Sequence, residues 1–170
     1  MTPGARVAAA IQILDQIAEG QPAEKALTRW ARSSRFAGSK DRAAIRDHVF
    51  DVLRHWRSDA ARGGSDSGRG RMIGRLRAIG MDPDILFTGE GHAPPPLTAA
   101  ERSLHAPTDL PKSAAWDMPD WLVPVFEDSL GVDAARAARP LTDRPPVTLP
   151  THIPQHTLQA APSPLAPDRL

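Results

Sequence analysis

From Thr2 to Phe87 the apolar side chains return every three or four residues, and glycine or proline stands where each run stops. That period lines one face of a helix and does not suit a strand, whose faces alternate every second residue. The pattern predicts an all-α fold in which about five short helices share one core. Thr2 caps a first helix from Pro3, with Val7, Ala10, Ile11, Leu14, Ile17 and Ala18 inward until Gly20 ends it. Pro22 opens a second, carrying Ala23, Ala26, Leu27 and Trp30 on one face and Arg29 and Arg32 on the other.

A third helix follows Gly38, with Ser39 expected as its N-cap and Ile45, Val49, Val52, Leu53 and Trp56 as its stripe. The stretch "ARGGSDSGRGR" after it reads as a flexible turn and not as a phosphate cradle, since no strand precedes it. Met72, Ile73, Leu76 and Ile79 mark a fourth helix closed by Gly80, and Asp82 followed by Pro83 caps a short fifth, "PDILF".

Beyond Thr88 the pattern changes. "TGEGHAPPP" is too rich in glycine and proline for a helix, so residues 88–116 are expected as an extended connector with one short helix, for which Thr98 and Glu101 stand in capping-box spacing. Residues 117–139 are expected as a small helical bridge, with Trp121, Leu122, Val125, Phe126 and Leu130 on its apolar face up to Gly131. Residues 140–170 form a proline-rich tail: its last 27 residues hold 7 prolines, which leave room for no more than an edge-strand fragment at 147–149.

Charge divides the chain. Residues 1–80 hold 15 Lys and Arg against 8 Asp and Glu, while residues 81–170 hold 6 against 12, so a net charge of +1 conceals halves of opposite sign. A basic half suggests a polyanionic partner, most economically nucleic acid. Within it Arg29, Arg32, Arg35, Lys40, Arg42 and Arg46 fall at a helix end, a loop and a helix start, where amides of the helix N-terminus can add to phosphate binding. These six are the candidate RNA-binding residues. The alternative is a solvated surface paired locally with Asp41 and Asp47.

Other chemistry finds little support. The chain has no cysteine, which removes disulfides, thiolate metal sites and a thiol nucleophile together. His152 and His156 are four apart, but Pro154 between them opposes a metal-binding helix, so no metal site and no catalytic residue is assigned. His48 and His55 read as residues beside the core, and Trp30, Trp56, Trp116 and Trp121 as core or interdomain anchors. No apolar run approaches the roughly 20 residues of a membrane span, and the N-terminus lacks a signal-peptide pattern, so a cytoplasmic protein is expected, with no membrane partner.

The segment "RWARSSRFAGSKDRAAIRDHVFDVLRHW" resembles the N-terminal region of bacterial ribosomal-RNA cytosine-5 methyltransferases of the RsmB type, also called Fmu or Sun proteins. The likeness continues through "MIGRLRAIGMDPDILFTGEGHAPPPLTAAE", characteristic of the alphaproteobacterial branch, and "DMPDWLVPVFEDSLG", similar to that family's bridge, over about 140 residues. It implies a NusB-like helical RNA-binding bundle over residues 1–87, with small-subunit ribosomal RNA as partner. It implies S-adenosylmethionine as cofactor only for a complete family member, because the cofactor loop and the two cysteines of the catalytic half are not in this sequence. On this reading the chain is catalytically incomplete alone and the tail is a remnant of the start of a methyltransferase domain. Three roles then stand open: an RNA-binding part working with a separate methyltransferase domain, an antitermination-like module docking a protein through an exposed apolar face, or a truncated copy without function.

Overall fold

The computed structural model describes residues 1–104, 107 and 109–145. Among them every regular element is helical: α1 (Pro3–Ala18), α2 (Ala23–Ser33), α3 (Ser39–Arg54), α4 (Trp56–Gly63), α5 (Gly68–Ala78), α6 (Ala99–Ser103), α7 (Lys112–Ala115), α8 (Leu122–Leu130) and α9 (Ala134–Ala138), with single 3-10 turns at Pro83–Ile85, Gly131–Asp133 and Arg139–Leu141. None of these helices is long and apolar enough to cross a membrane. The edge-strand fragment, His152 and His156 lie outside the described residues.

Helix α1 is the hub. Thr2 Oγ1 accepts the Ala5 N–H at 3.2 Å, and Gly20 leaves the helix at φ +97°. Val7, Ala10, Ile13 and Leu14 are buried against Ala26 of α2, Ile45, Val49 and Val52 of α3 and Met72, Ile73 and Leu76 of α5. Phe87 and Leu97 complete this core, while Leu53 and Trp56 are only half-buried at its edge.

Several local expectations need correction: the predicted third helix breaks at His55 so that Trp56 begins α4, "PDILF" is a single 3-10 turn, and residues 88–116 carry two short helices, α6 and α7. The N-cap of α3 is Gly38, not Ser39: the Asp41 carboxylate reaches back to accept the Gly38 N–H at 3.3 Å, which leaves Ser39 inside the first turn. The glycine-rich stretch is not a flexible turn. Gly63 lies in α4, Gly68, Gly70 and Gly74 lie in α5, and only 64–67 form the connection. A Cβ on Gly63 would stand 1.7 Å from the Gly70 carbonyl oxygen, and one on Gly74 1.9 Å from that of Asp59, so these glycines let two helix backbones touch. Finally, Trp121 is 70% exposed and anchors nothing, whereas Phe126 packs with Trp116, Leu122, Met118, Val123 and Ala138 in a second, smaller core.

Two long-range ties hold the later segments on the bundle. Arg69 donates to both Glu101 oxygens (2.7 and 2.9 Å) and to the Pro95 and Pro96 carbonyls (3.0 and 3.1 Å), with its guanidinium over the Phe87 ring. That pairing holds the Glu101 carboxyl down to about 2. The connector is therefore clipped along the bundle. Asp117, at φ +50°, accepts the Arg57 and Ser58 N–H groups (2.9 and 2.8 Å) and so caps α4 from some 60 residues away.

Asp59 of α4 is fully buried, and neither carboxyl oxygen has a hydrogen-bond partner among the described residues; Arg75 Nη1 stands 3.9 Å off. Burial pushes its pKa up to about 8, Arg75 opposes the shift and Asp117 adds to it. Between the ordinary value of 3.8 and about 8 the folded chain holds a proton that the unfolded chain has released. Stability therefore falls as pH rises through that window. Asp59→Asn is expected to remove this loss, gaining on the parent in urea unfolding at pH 9 while matching it near pH 4; equal midpoints at both pH values would contradict the assignment.

Candidate nucleic-acid interface

Arg29 and Arg32 occupy the outer face of α2, Arg35 the loop between α2 and α3, and Lys40, Arg42 and Arg46 the first two turns of α3; all six are exposed. None of the six enters an ion pair with another described residue. Six other arginines of the basic half are engaged by carboxylates: Arg6 with Asp41 (2.8 Å), Arg54 and Arg75 with Asp51 (3.0 and 3.1 Å), Arg57 with Asp120 (3.2 Å), Arg69 with Glu101 (2.7 Å) and Arg71 with Asp66 (2.8 Å). The fold thus sorts its cations into those that hold structure and those left to solvent. The local pairing considered for Asp41 is not made, because that carboxylate serves Arg6 and the N-terminal ammonium instead.

The six do not form one patch of uniform character. Arg29 and Arg32 line a shallow depression along α2 with Glu24, Lys25, Thr28 and Ser33, three cations to one carboxylate. Lys25 belongs with them, and its spacing of four from Arg29 and seven from Arg32 was the signal for it. Arg42 and Arg46 stand one turn apart on α3. Lys40, two residues before Arg42, projects from the other side of the helix.

The loop between α2 and α3 is built, not slack. The Ser34 N–H donates to the Trp30 carbonyl (2.9 Å), the Ala37 N–H to the Ser34 carbonyl (3.0 Å) and Arg42 Nε to the Ala37 carbonyl (3.0 Å), with Ser34 and Ala37 buried. The start of α3 is less open to phosphate than its sequence suggests. The Asp41 carboxylate already sits there, held below the usual range chiefly by Arg6.

The histidines match a place beside the core. Both are half-buried; His55 Nδ1 lies 2.9 Å from the Asp51 carbonyl, and burial lowers the pKa of His48. Among the described residues no group of three or more His, Cys, Asp or Glu is placed to hold a metal ion. No family model, curated protein or solved structure matches the chain.

Proposed function

We propose that this chain binds RNA through Arg29, Arg32, Arg35, Lys40, Arg42 and Arg46, as the N-terminal part of a ribosomal-RNA cytosine-5 methyltransferase would, with small-subunit ribosomal RNA as its partner. The observation that carries the reading is the division of labour among the cations. These six are exposed and free of ion pairs with described residues, while six other arginines of the same half are engaged by carboxylates. Cations free of carboxylate partners can replace condensed counterions along a phosphate backbone without first breaking an ion pair, and only Arg42 among them holds a backbone carbonyl, that of Ala37. With no cysteine the chain offers no thiol to add to a pyrimidine ring, so the reading is one of binding, and S-adenosylmethionine belongs to a catalytic partner domain.

A second reading has its own observation. Around α8, Trp121 just before it, Val125 (52% exposed) on it and Val132 just after it are apolar and face solvent, whereas Phe126, expected on the same docking face, packs in the second core; the exposed three suit a protein-docking face. Ultraviolet cross-linking to a small-subunit ribosomal RNA fragment, with the linked peptides mapped by mass spectrometry, separates the two. Links concentrated in residues 25–46 are the expected result. Links confined to residues 112–141, or none at all, would contradict it.

A further inference from the structure

An open cleft of about 1110 Å³ beside α1 is lined by Trp30 and Phe36, by Pro94, Pro95 and Pro96, and by Ala5 and Ala9 of α1. Phe36 is 76% exposed although its neighbours Ser34 and Ala37 are buried and the loop is fixed by three hydrogen bonds. A rigid loop that holds a large aromatic ring out of the core forgoes the burial that ring would otherwise gain. The charged groups of the cleft are few. Arg69 is committed to Glu101, the N-terminal ammonium to Asp41, and Glu90 lies with the proline segment. A polyanion has nothing to hold deep inside, yet Arg35 adjoins Phe36 in sequence, and Arg29 and Arg32 end the helix leading into the loop. The lining is largely apolar, Phe36 is exposed on it and the exposed, unpaired Arg35 adjoins Phe36 in the chain, a pairing that suits a nucleotide: base on the ring, phosphate on the neighbouring guanidinium.

We propose that Phe36 is a stacking platform for one unpaired nucleobase, whose phosphates rest on Arg35 and the end of α2, so that the protein prefers unpaired over duplex RNA. This rests on the reading of the chain as an RNA binder. The test uses a short single-stranded RNA carrying 2-aminopurine at one position and the same RNA annealed to its complement. The parent is expected to bind the single strand more tightly and to quench the 2-aminopurine emission as the base stacks. Phe36→Ala is expected to abolish the quenching and weaken single-strand binding by roughly 5- to 150-fold, the worth of one base–aromatic stack, leaving duplex affinity and salt dependence unchanged. Phe36→Trp is expected to restore both. Because the ring is exposed, circular dichroism and the thermal midpoint should match the parent. A Phe36→Ala protein that binds and quenches like the parent overturns the inference while RNA binding stands, and a parent that binds neither RNA overturns both. If Phe36→Ala changes self-association in sedimentation and not RNA affinity, the cleft docks protein and the stacking role is overturned.

Discussion

Replacing Gly74 by valine is expected to lower the stability of the bundle by at least about 3 kcal/mol, enough to unfold a marginal domain at room temperature. The added Cβ would meet the Asp59 carbonyl oxygen at 1.9 Å, its carbon at 2.7 Å and the Gly63 nitrogen at 2.9 Å, all of them backbone atoms that no rotamer change can move. Relief requires α4 and α5 to part, and α5 carries Met72, Ile73 and Leu76 of the main core. The useful comparison is Gly38→Ser. That residue has extended backbone (φ −72°) with only the Asp41 carboxylate near a new Cβ, at 3.7 Å, and serine is at least as good an N-cap as glycine. Urea unfolding should show a collapsed or absent transition for Gly74→Val and a parental or slightly raised midpoint for Gly38→Ser. A parental midpoint for Gly74→Val would mean that α4 and α5 do not cross at these glycines.

The largest functional effect is expected from replacing all six candidate cations with alanine. The net charge falls from +1 to −5, since six positive charges are removed. If each side chain holds a phosphate of a single strand, the loss removes up to about four counterions from the salt dependence and costs at least roughly 100-fold in affinity near 50 mM salt. Helical content should survive, because none of the six lies in the core or pairs with a described carboxylate. Arg42 is the exception to watch: its Nε holds the Ala37 carbonyl, so Arg42→Ala alone can loosen the loop as well as remove a charge. Filter binding, with circular dichroism as the check on folding, measures both.

What the sequence revealed and what it concealed follow from the range of the interactions. Helices α1 to α3 and α6 were legible because their signals are local: a cap such as Thr2 or Thr98, a stripe at helical spacing, a glycine or proline at the end. Helix α4 was not. It begins after a break at His55 (φ −120°, ψ 33°), and its N-terminus is capped by Asp117, a partner that no local window contains. The glycines of α4 and α5 misled for a related reason. Read one at a time, glycine weakens a helix, but Gly63, Gly70 and Gly74 are required by the approach of a second backbone, visible only once both helices are placed. The six cations were found by density and position. Lys25 was missed because it stands a turn earlier, and the commitment of Asp41 to Arg6 and the N-terminus depends on α1 meeting α3. Phe36 escaped because a single aromatic in a loop has no periodicity to mark it; its exposure on a fixed loop is a tertiary fact.

The claim that these unpaired cations form an RNA-binding surface is tested most directly by the affinity of the parent protein for a small-subunit ribosomal RNA fragment, titrated from about 50 to 200 mM salt. The expected result is a linear fall of log K with log salt, with a slope near −4 that flattens toward zero in the six-alanine protein. A parent that binds no RNA at the lowest salt, or a slope that the six substitutions leave unchanged, would contradict it and return these residues to an ordinary solvated surface.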